Sequence, residues 1–263
     1  MAEKKAHIGF EELKQLFARL RAPDGCPWDR KQTHASLRPY LVEESYEVLQ
    51  TLDDGDLQKL REELGDLLLQ IMLHAQIASE EGEFTIDDVI QTLRDKLIHR
   101  HPHVFGEVKV KDAAEVKHNW ELLKQNERHE SNGSLLSGVP KSMPALSYGQ
   151  SIQRRAADIG FDWRKTEQVL DKLVEEVDEL RNASNHEEQI HEFGDVLFTL
   201  MNLARRLGID AETALRGTNQ RFFERFTCME QLCRERGIKL GDLSLEEQDA
   251  LWNEAKKKLA AGQ

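Results

Sequence analysis

The acidic pattern Glu-Glu-x-x-Glu, followed after a short gap by Glu-x-Gly-Asp, occurs twice in this chain of 263 residues. It covers residues 43–47 and 63–66 in the first half, and residues 175–179 and 192–195 in the second half. The gap between the motifs is shorter in the second half. That difference falls in a predicted turn, where a few extra residues have little entropic cost. Two tandem copies of one domain therefore explain the length better than a single fold does.

Both copies are expected to be all-α. Good helix formers dominate the composition, and alternating runs of Val, Ile and Thr are nearly absent. Helical periodicity covers residues 10–21, 37–52, 57–79, 85–100, 112–128, 148–158, 166–181, 187–206, 211–236 and 245–259. A stretch rich in Ser, Gly and Pro interrupts it. We predict two helical bundles, at residues 1–130 and 148–263, with a linker at 131–147.

Charge and composition exclude several classes of protein. The net charge of −12 offers no general attraction to nucleic acid. No apolar run approaches the roughly 18 residues that would span a bilayer, and the N-terminus lacks the apolar core of a signal peptide. Cys26, Cys228 and Cys233 form neither a disulfide framework nor a CxxC pattern. We expect a cytoplasmic protein with no membrane partner and no direct nucleic-acid partner.

The repeated acids are predicted to converge where two consecutive helices form a hairpin. Glu43, Glu44 and Glu47 fall within one arc of about 100° on the first helix. Glu63 and Asp66 are three residues apart and share a face of the next helix. Like charges at short range repel, and bound cations relieve the repulsion. Oxygen ligands favour Mg²⁺ or Mn²⁺ over Zn²⁺, so each copy is predicted to hold a hard cation.

The sequence of the helix that carries Glu63 also predicts which of its residues are buried. Five apolar residues are expected to form the core stripe beside the acids: Leu60, Leu64, Leu67, Leu68 and Ile71. Gly65 and, in the second copy, Gly194 lie inside helices, where Gly costs about 1 kcal/mol relative to Ala. We expect the missing side chain to let another helix or a ligand approach closely.

This combination of motifs resembles the all-α nucleoside triphosphate pyrophosphohydrolases of the MazG family, in a two-copy form that covers nearly the whole chain. Cys26-Pro-Trp-Asp29, His101-Pro-His-Val-Phe105 and Gly160-Phe-Asp-Trp163 also resemble pieces of that family. The resemblance implies Mg²⁺-dependent hydrolysis of NTPs and dNTPs to nucleoside monophosphate and pyrophosphate, with Mn²⁺ as an alternative ion. It further implies a house-cleaning role on the nucleotide pool and, together with the apolar stripes, a homodimer.

The resemblance also implies residue roles. The metal ligands would be Glu44, Glu47, Glu63 and Asp66 in the first copy, and Glu176, Glu179, Glu192 and Asp195 in the second. The leading Glu43 and Glu175 would orient a metal-bound water, act as general base, or stand behind the ligands. Hydrolysis is expected in the C-terminal copy, with Glu175, Glu176 and Glu179 as its catalytic residues.

Positive groups are needed to neutralise a triphosphate. Arg221 and Arg225 lie four residues apart on one helix, and a guanidinium group fits phosphate geometry. Trp252 and Lys256 resemble the family's base-stacking and phosphate-binding pair, although a core role for Trp252 is the alternative. The first copy offers similar residues, Lys96 and Arg100 followed by Trp120 and Lys124. Related C-terminal copies often have a Lys shortly before the second motif, and whether His191 replaces it is open.

Two other functions remain to be weighed. A di-iron carboxylate protein would need Glu-x-x-His on two helices, but Asp66 and Asp195 occupy the positions of that His. A non-catalytic helical assembly or regulatory module would keep the acids only as a soluble surface. The histidines at 99, 101 and 103 lack spaced acidic partners, and we interpret them as part of a turn at Pro102.

Overall fold

A computed structural model describes residues 9–113, 115–116, 119–120, 123 and 134–261. Every regular element in this part of the chain is a helix, which confirms the all-α prediction. The chain divides into two compact units, Met1–Trp120 and Glu121–Gln263. The linker prediction differs from the structure at one end, because a helix already begins at Ala145.

The first unit begins with α1 (Phe10–Arg21) and the short α2 (Pro27–Lys31). The acid-bearing hairpin follows as α3 (His34–Asp54) and α4 (Leu57–Glu81). After it come α5 (Ile86–Arg100) and the single turn α6 (Pro102–Phe105). The periodicity located the long helices closely, but it missed α2 and α6. Much of the helix predicted at 112–128 lies outside the described residues.

The second unit repeats this order without the short helices. It contains α7 (Ala145–Asp158), the acid-bearing hairpin of α8 (Thr166–Asn182) and α9 (His186–Arg206), and α10 (Ala211–Arg236). A 3₁₀ turn at Leu240–Asp242 leads into α11 (Leu245–Ala261). The α8–α9 hairpin packs along its length, as does the α3–α4 hairpin.

Local chemistry fixes the turn of each hairpin. Helix α3 ends at Gly55, whose φ of 69° is a left-handed conformation that Gly adopts without strain. Asp56 then caps α4, because its carboxylate accepts hydrogen bonds from the backbone N–H groups of Gln58 and Lys59. Asn185 caps α9 in the same way through the N–H of Glu188. These caps hold the register of the hairpins and therefore the positions of the acids.

The family-like segment at Gly160–Trp163 has a structural role in the second unit. Both oxygens of Asp162 are bound by arginines at the end of α9, Arg205 at 2.5 Å and Arg206 at 3.1 Å. Arg206 also donates to the Trp163 carbonyl. The Asp162 carboxylate therefore ties the loop after α7 to the end of the acid-bearing helix.

The core does not lie where the apolar stripe of α4 predicted. Leu60 and Leu67 are half-buried, but Leu64 is 49% exposed, and Leu68 and Ile71 are also exposed. The buried residues of the first unit are instead Phe17, Leu37, Met72, Leu73 and Ile77. That prediction was wrong because the α4 residues that pack with α1 and α3 lie in its C-terminal half, while Leu64, Leu68 and Ile71 stay exposed in the described part of the unit.

The two copies share one buried anchor. When the acidic motifs are aligned, Leu37 of α3 corresponds to Val169 of α8, and both side chains are fully buried. Each lies near the N-terminus of the helix that carries the first motif. The same point of the repeat is therefore locked by packing in both units.

Leu37→Ala should lower the free energy of unfolding by about 2–5 kcal/mol, because the cavity would form at a site with no exposed surface. Urea unfolding followed by circular dichroism measures the loss. Leu57→Ala removes the same atoms from a side chain that is 74% exposed and should change stability by no more than about 0.5 kcal/mol. Equal effects of the two substitutions would contradict this description of the core.

Candidate metal-binding active site

The first hairpin brings three of its four predicted ligands together. Oxygen atoms of Glu44, Glu47 and Glu63 all lie within 4.8 Å of one another. Glu63 is only 7% exposed although it carries a carboxylate, and the Lys59 ammonium lies 3.6 Å from it. A buried carboxylate needs a compensating charge. The donor set therefore fits a hard cation such as Mg²⁺.

The second hairpin forms the matching group from Glu176, Glu179 and Glu192. Here the buried acid lies on the first helix of the pair, since Glu176 is 6% exposed and Glu192 is half-buried. The same three positions of the motif thus meet in both copies, but the copies bury different members. These oxygen donors fit a hard cation equally well.

The fourth predicted ligand is placed differently in each copy. Asp195 groups with Glu192 and His191, whose donor atoms also lie within 4.8 Å of one another. Asp66 is close enough to raise the pKa of Glu44 by its charge, but it is not part of the compact group of three. The structure therefore assembles a core of three carboxylates with an aspartate at its edge.

The crowding of acids perturbs their ionisation. Burial raises the pKa of Glu44, and the charges of Asp66, Glu47 and Glu43 raise it further, while a hydrogen bond from Gln70 acts in the opposite direction. Loss of hydration also raises the pKa of Glu179. Both carboxylates are thus less acidic than usual, as expected of groups that need a cation to remain ionised.

Sequence analysis missed Lys172, whose ammonium contacts three acids of the second copy. Its Nζ lies 2.6 Å from Glu175, 3.0 Å from Glu176 and 4.0 Å from Glu179. Hydrogen bonds to Glu175 and Glu176 raise the pKa of Lys172. The signal was present in the sequence, because residues three and four apart on a helix are neighbours. The first copy has Tyr40 at this position and therefore lacks the cation.

The leading glutamates do not join the compact groups. Glu175 is an exposed side chain held by Lys172 through a 2.6 Å contact. Glu43 is also exposed, and its charge raises the pKa of Glu44. Their placement beside the ligand oxygens is compatible with each of the roles considered for them.

The basic residues form a separate group at α10 and α11. The Arg225 guanidinium lies over the Trp252 ring, 5.5 Å from its centroid, and Phe222 packs against the same ring at 5.3 Å. Arg221 bonds the Thr218 hydroxyl on its own helix, and Lys256 is exposed. Within the described part of the chain, no ion pair joins these residues to the acid clusters.

The first copy repeats the arginine–tryptophan contact. Arg100 lies 5.6 Å from the centroid of Trp120, so the correspondence between Arg100 and Arg225 extends from sequence to geometry. Lys124 lies outside the described residues. At the predicted turn, the Nδ1–H of His101 donates to the Leu97 carbonyl while its ring packs against Trp120. These contacts agree with a structural role for the turn.

The space around the two helix glycines tests the expected close approach. A Cβ atom added at Gly65 or Gly194 would meet nothing within 4 Å, so no other helix of the described chain approaches either glycine.

A cleft of about 490 Å³ in the second unit is lined by Gln153, Phe161, Trp163 and Phe198, among others, and contains none of the predicted ligands. The cleft is therefore separate from the acid cluster of the second unit.

Paired helix hairpins, each holding carboxylates within coordinating distance, define an all-α tandem protein with candidate metal sites. A MazG nucleotide pyrophosphohydrolase domain model matches residues 32–105, and a phosphoribosyl-ATP pyrophosphohydrolase model matches residues 148–222. Nucleoside triphosphate pyrophosphohydrolase/pyrophosphatase MazG of Thermotoga maritima is 46% identical over 253 residues, which make up 96% of this chain and 98% of that protein.

Two further relatives match most of this chain. Nucleoside triphosphate pyrophosphohydrolase of Escherichia coli K12 is 42% identical over 254 residues, or 94% of this chain and 97% of that protein. An uncharacterized Bacillus subtilis protein is 47% identical over 97% of this chain but only 53% of its own length. The chain belongs to the MazG family.

Glu44→Gln should raise the Tm of the metal-free protein at pH 7, because it removes a charge that burial and neighbouring acids disfavour. The folded-state pKa of Glu44 lies above its ordinary value, so this group costs stability as the pH rises through that pKa. The gain should shrink as the pH falls and native Glu44 takes up a proton.

Differential scanning calorimetry at several pH values, with a chelator present, measures this effect. Glu83→Gln, in the exposed turn after α4, is the control and should leave Tm unchanged. A lower Tm for Glu44→Gln at pH 7 would show that its charge is compensated in the metal-free protein.

Proposed function

We propose that the chain is a Mg²⁺-dependent enzyme that hydrolyses nucleoside triphosphates to nucleoside monophosphate and pyrophosphate. The observation that carries the proposal is the meeting of Glu176, Glu179 and Glu192 on one hairpin of a MazG-family chain. The names of the relatives from Thermotoga maritima and Escherichia coli support the substrate class. The acidic composition and the family together favour a cytoplasmic enzyme of nucleotide-pool house-cleaning that does not bind nucleic acid directly.

Different residues of the C-terminal copy are proposed to bind the ion, the water, the phosphates and the base. Glu176, Glu179, Glu192 and Asp195 would hold the ion, which supplies positive charge to the triphosphate and acidity to a bound water. Glu175, beside these ligands, accepts the proton of the attacking water or orients that water. Arg221, Arg225 and Lys256 neutralise phosphate oxygens. The partly buried Trp252 stacks on the base.

Two observations limit the alternatives. Aspartates at positions 66 and 195, where a di-iron protein needs histidines, disfavour redox iron. Charges buried at Glu63 and Glu176 are costly for a module that needs acids only for solubility.

The match of residues 148–222 to a phosphoribosyl-ATP pyrophosphohydrolase model favours one further substrate, phosphoribosyl-ATP, which belongs in the assay beside NTPs and dNTPs.

With ATP as substrate, the products should be AMP and pyrophosphate, identified by chromatography. EDTA should abolish the reaction, and Mg²⁺ or Mn²⁺ should restore it. Ca²⁺ should support it poorly, because its looser geometry misplaces the water. Release of ADP and orthophosphate would refute the reaction, and metal-independent turnover would refute the role of the acids.

The C-terminal copy is proposed to be the active one, since it has arginines at both phosphate-binding positions, Arg221 and Arg225, where the first copy has Lys96 and Arg100. Glu179→Gln should lower pyrophosphate release by about 100-fold or more, because it removes a ligand charge while keeping the shape. The matched substitution Glu47→Gln in the first copy should leave most activity. The reverse pattern would exchange the roles of the copies, and comparable partial losses would mean that both are catalytic.

The hairpin surface is proposed to be covered by a second copy of the chain. On α8 and α9 the large side chains of Val174, Val177, Ile190 and Phe193 are each about half exposed or more. An apolar area of this kind on a soluble protein indicates an interface. A twofold dimer would bury the same surface on both chains.

Light scattering at micromolar concentration should give about twice the chain mass of 30.3 kDa. Ile190→Glu should weaken the dimer by about tenfold or more, because it places a charge in the apolar surface. Gln189→Glu adds the same charge at the neighbouring exposed position and serves as the control. A native protein that remains at the monomer mass would contradict the proposed dimer.

A further inference from the structure

One imidazole group stands among the acids of the second copy. His191 precedes Glu192 on α9, and its Nδ1 lies 3.2 Å from an Asp195 oxygen and 3.5 Å from a Glu192 oxygen. Because His191 and Asp195 are four residues apart, their side chains lie one turn apart on the same helix face. This spacing lets a single ion contact both of them.

Glu192 belongs to two donor groups at once. It joins Glu176 and Glu179 in the all-carboxylate group, and it joins His191 and Asp195 in the second group. A carboxylate has two oxygens and can bridge neighbouring ions. Glu176 is buried whereas His191 is 76% exposed, so the nitrogen-containing group lies on the solvent side of the shared glutamate.

The first copy provides an internal comparison. Alignment of the second motifs places Glu62 at the position of His191. Among the described residues, the only donor group of the first hairpin is that of Glu44, Glu47 and Glu63, which contains no nitrogen. The imidazole therefore distinguishes the chemistry of the two copies.

We propose that His191, Asp195 and the shared Glu192 carboxylate bind a divalent transition ion, with Mn²⁺ as the representative ion, through the histidine nitrogen. Imidazole is a ligand of transition ions, whereas Mg²⁺ prefers oxygen. The second copy therefore prefers Mn²⁺ over Mg²⁺, and the first copy does not. This inference builds on the metal-dependent hydrolysis proposed above, but binding of the ion requires no turnover.

Pulsed electron paramagnetic resonance tests the nitrogen ligand directly. The metal-stripped full-length chain is loaded with one equivalent of Mn²⁺ and no nucleotide, and the echo modulation from ¹⁴N is recorded. The modulation should be present in the native protein, should change to the ¹⁵N pattern when histidine is ¹⁵N-labelled, and should vanish in His191→Gln. His186→Gln, another exposed histidine on the same helix, should leave it intact.

A native Mn²⁺ complex without nitrogen modulation would overturn the proposal. Modulation that survives in His191→Gln, or failure of Mn²⁺ to bind, would overturn it as well. In the affirmative case, His191→Gln should reduce the ratio of Mn²⁺ to Mg²⁺ affinity by about tenfold or more, as measured by calorimetry. An unchanged ratio would count against the site.

A gain of function in the first copy completes the test. Glu62→His, in the His191→Gln background, recreates the same spacing to Glu63 and Asp66 and should restore a ¹⁴N modulation. Absence of modulation in this double variant would show that the spacing is insufficient and would overturn the geometric argument. A chain that shows the nitrogen signal but releases no pyrophosphate would refute the proposed reaction and leave this site standing, whereas the converse would refute only the site.

Discussion

Repulsion between carboxylates held close together on two helix hairpins is the constraint on which the rest of this structure depends. Helix packing fixes the distances, and the caps at Asp56 and Asn185 fix the register. Glu63 and Glu176 are more than nine-tenths buried, so solvent screens their charges poorly. Lysines offset part of this cost: Lys59 lies near Glu63, and Lys172 contacts Glu176. Bound cations would offset the remainder. The acids would therefore lower the stability of the metal-free protein and serve as ligands in the metal-bound protein.

The same hairpins link the acids to the apolar surface. Phe193 directly follows Glu192 in the chain and is 54% exposed. Ile190, which is also exposed, lies two residues before Glu192. A partner that covers these side chains would also remove water from the neighbouring acids. Low local polarity strengthens the attraction between acids and cations. Association and metal binding are therefore expected to favour each other in this architecture.

The two copies keep their scaffold and diverge at the acids. The buried pair Leu37 and Val169 and the arginine–tryptophan contacts recur at matching positions. Two basic neighbours of the ligands do not recur, since Lys172 corresponds to Tyr40 and His191 corresponds to Glu62. Packing tolerates few changes at fully buried positions, whereas exposed residues beside the acids can change without loss of the fold. The differences thus lie beside the acids that are proposed to bind the ion.

The sequence by itself determined the helices, the tandem repeat, the family and the set of acids, because helical periodicity and motif spacing are local properties of the chain. The contacts of Lys172 could also have been predicted from the sequence, because Glu175 and Glu176 follow it by three and four residues on one helix. Only the tertiary structure decided which side of α4 is buried. Leu64, Leu68 and Ile71 look like core residues in the sequence, but burial depends on which helix lies opposite, and no helix in the described part of the unit buries these side chains. Tertiary packing also decided which glutamate each copy buries and brought Glu44, Glu47 and Glu63 into one group, because these relations join residues on different helices.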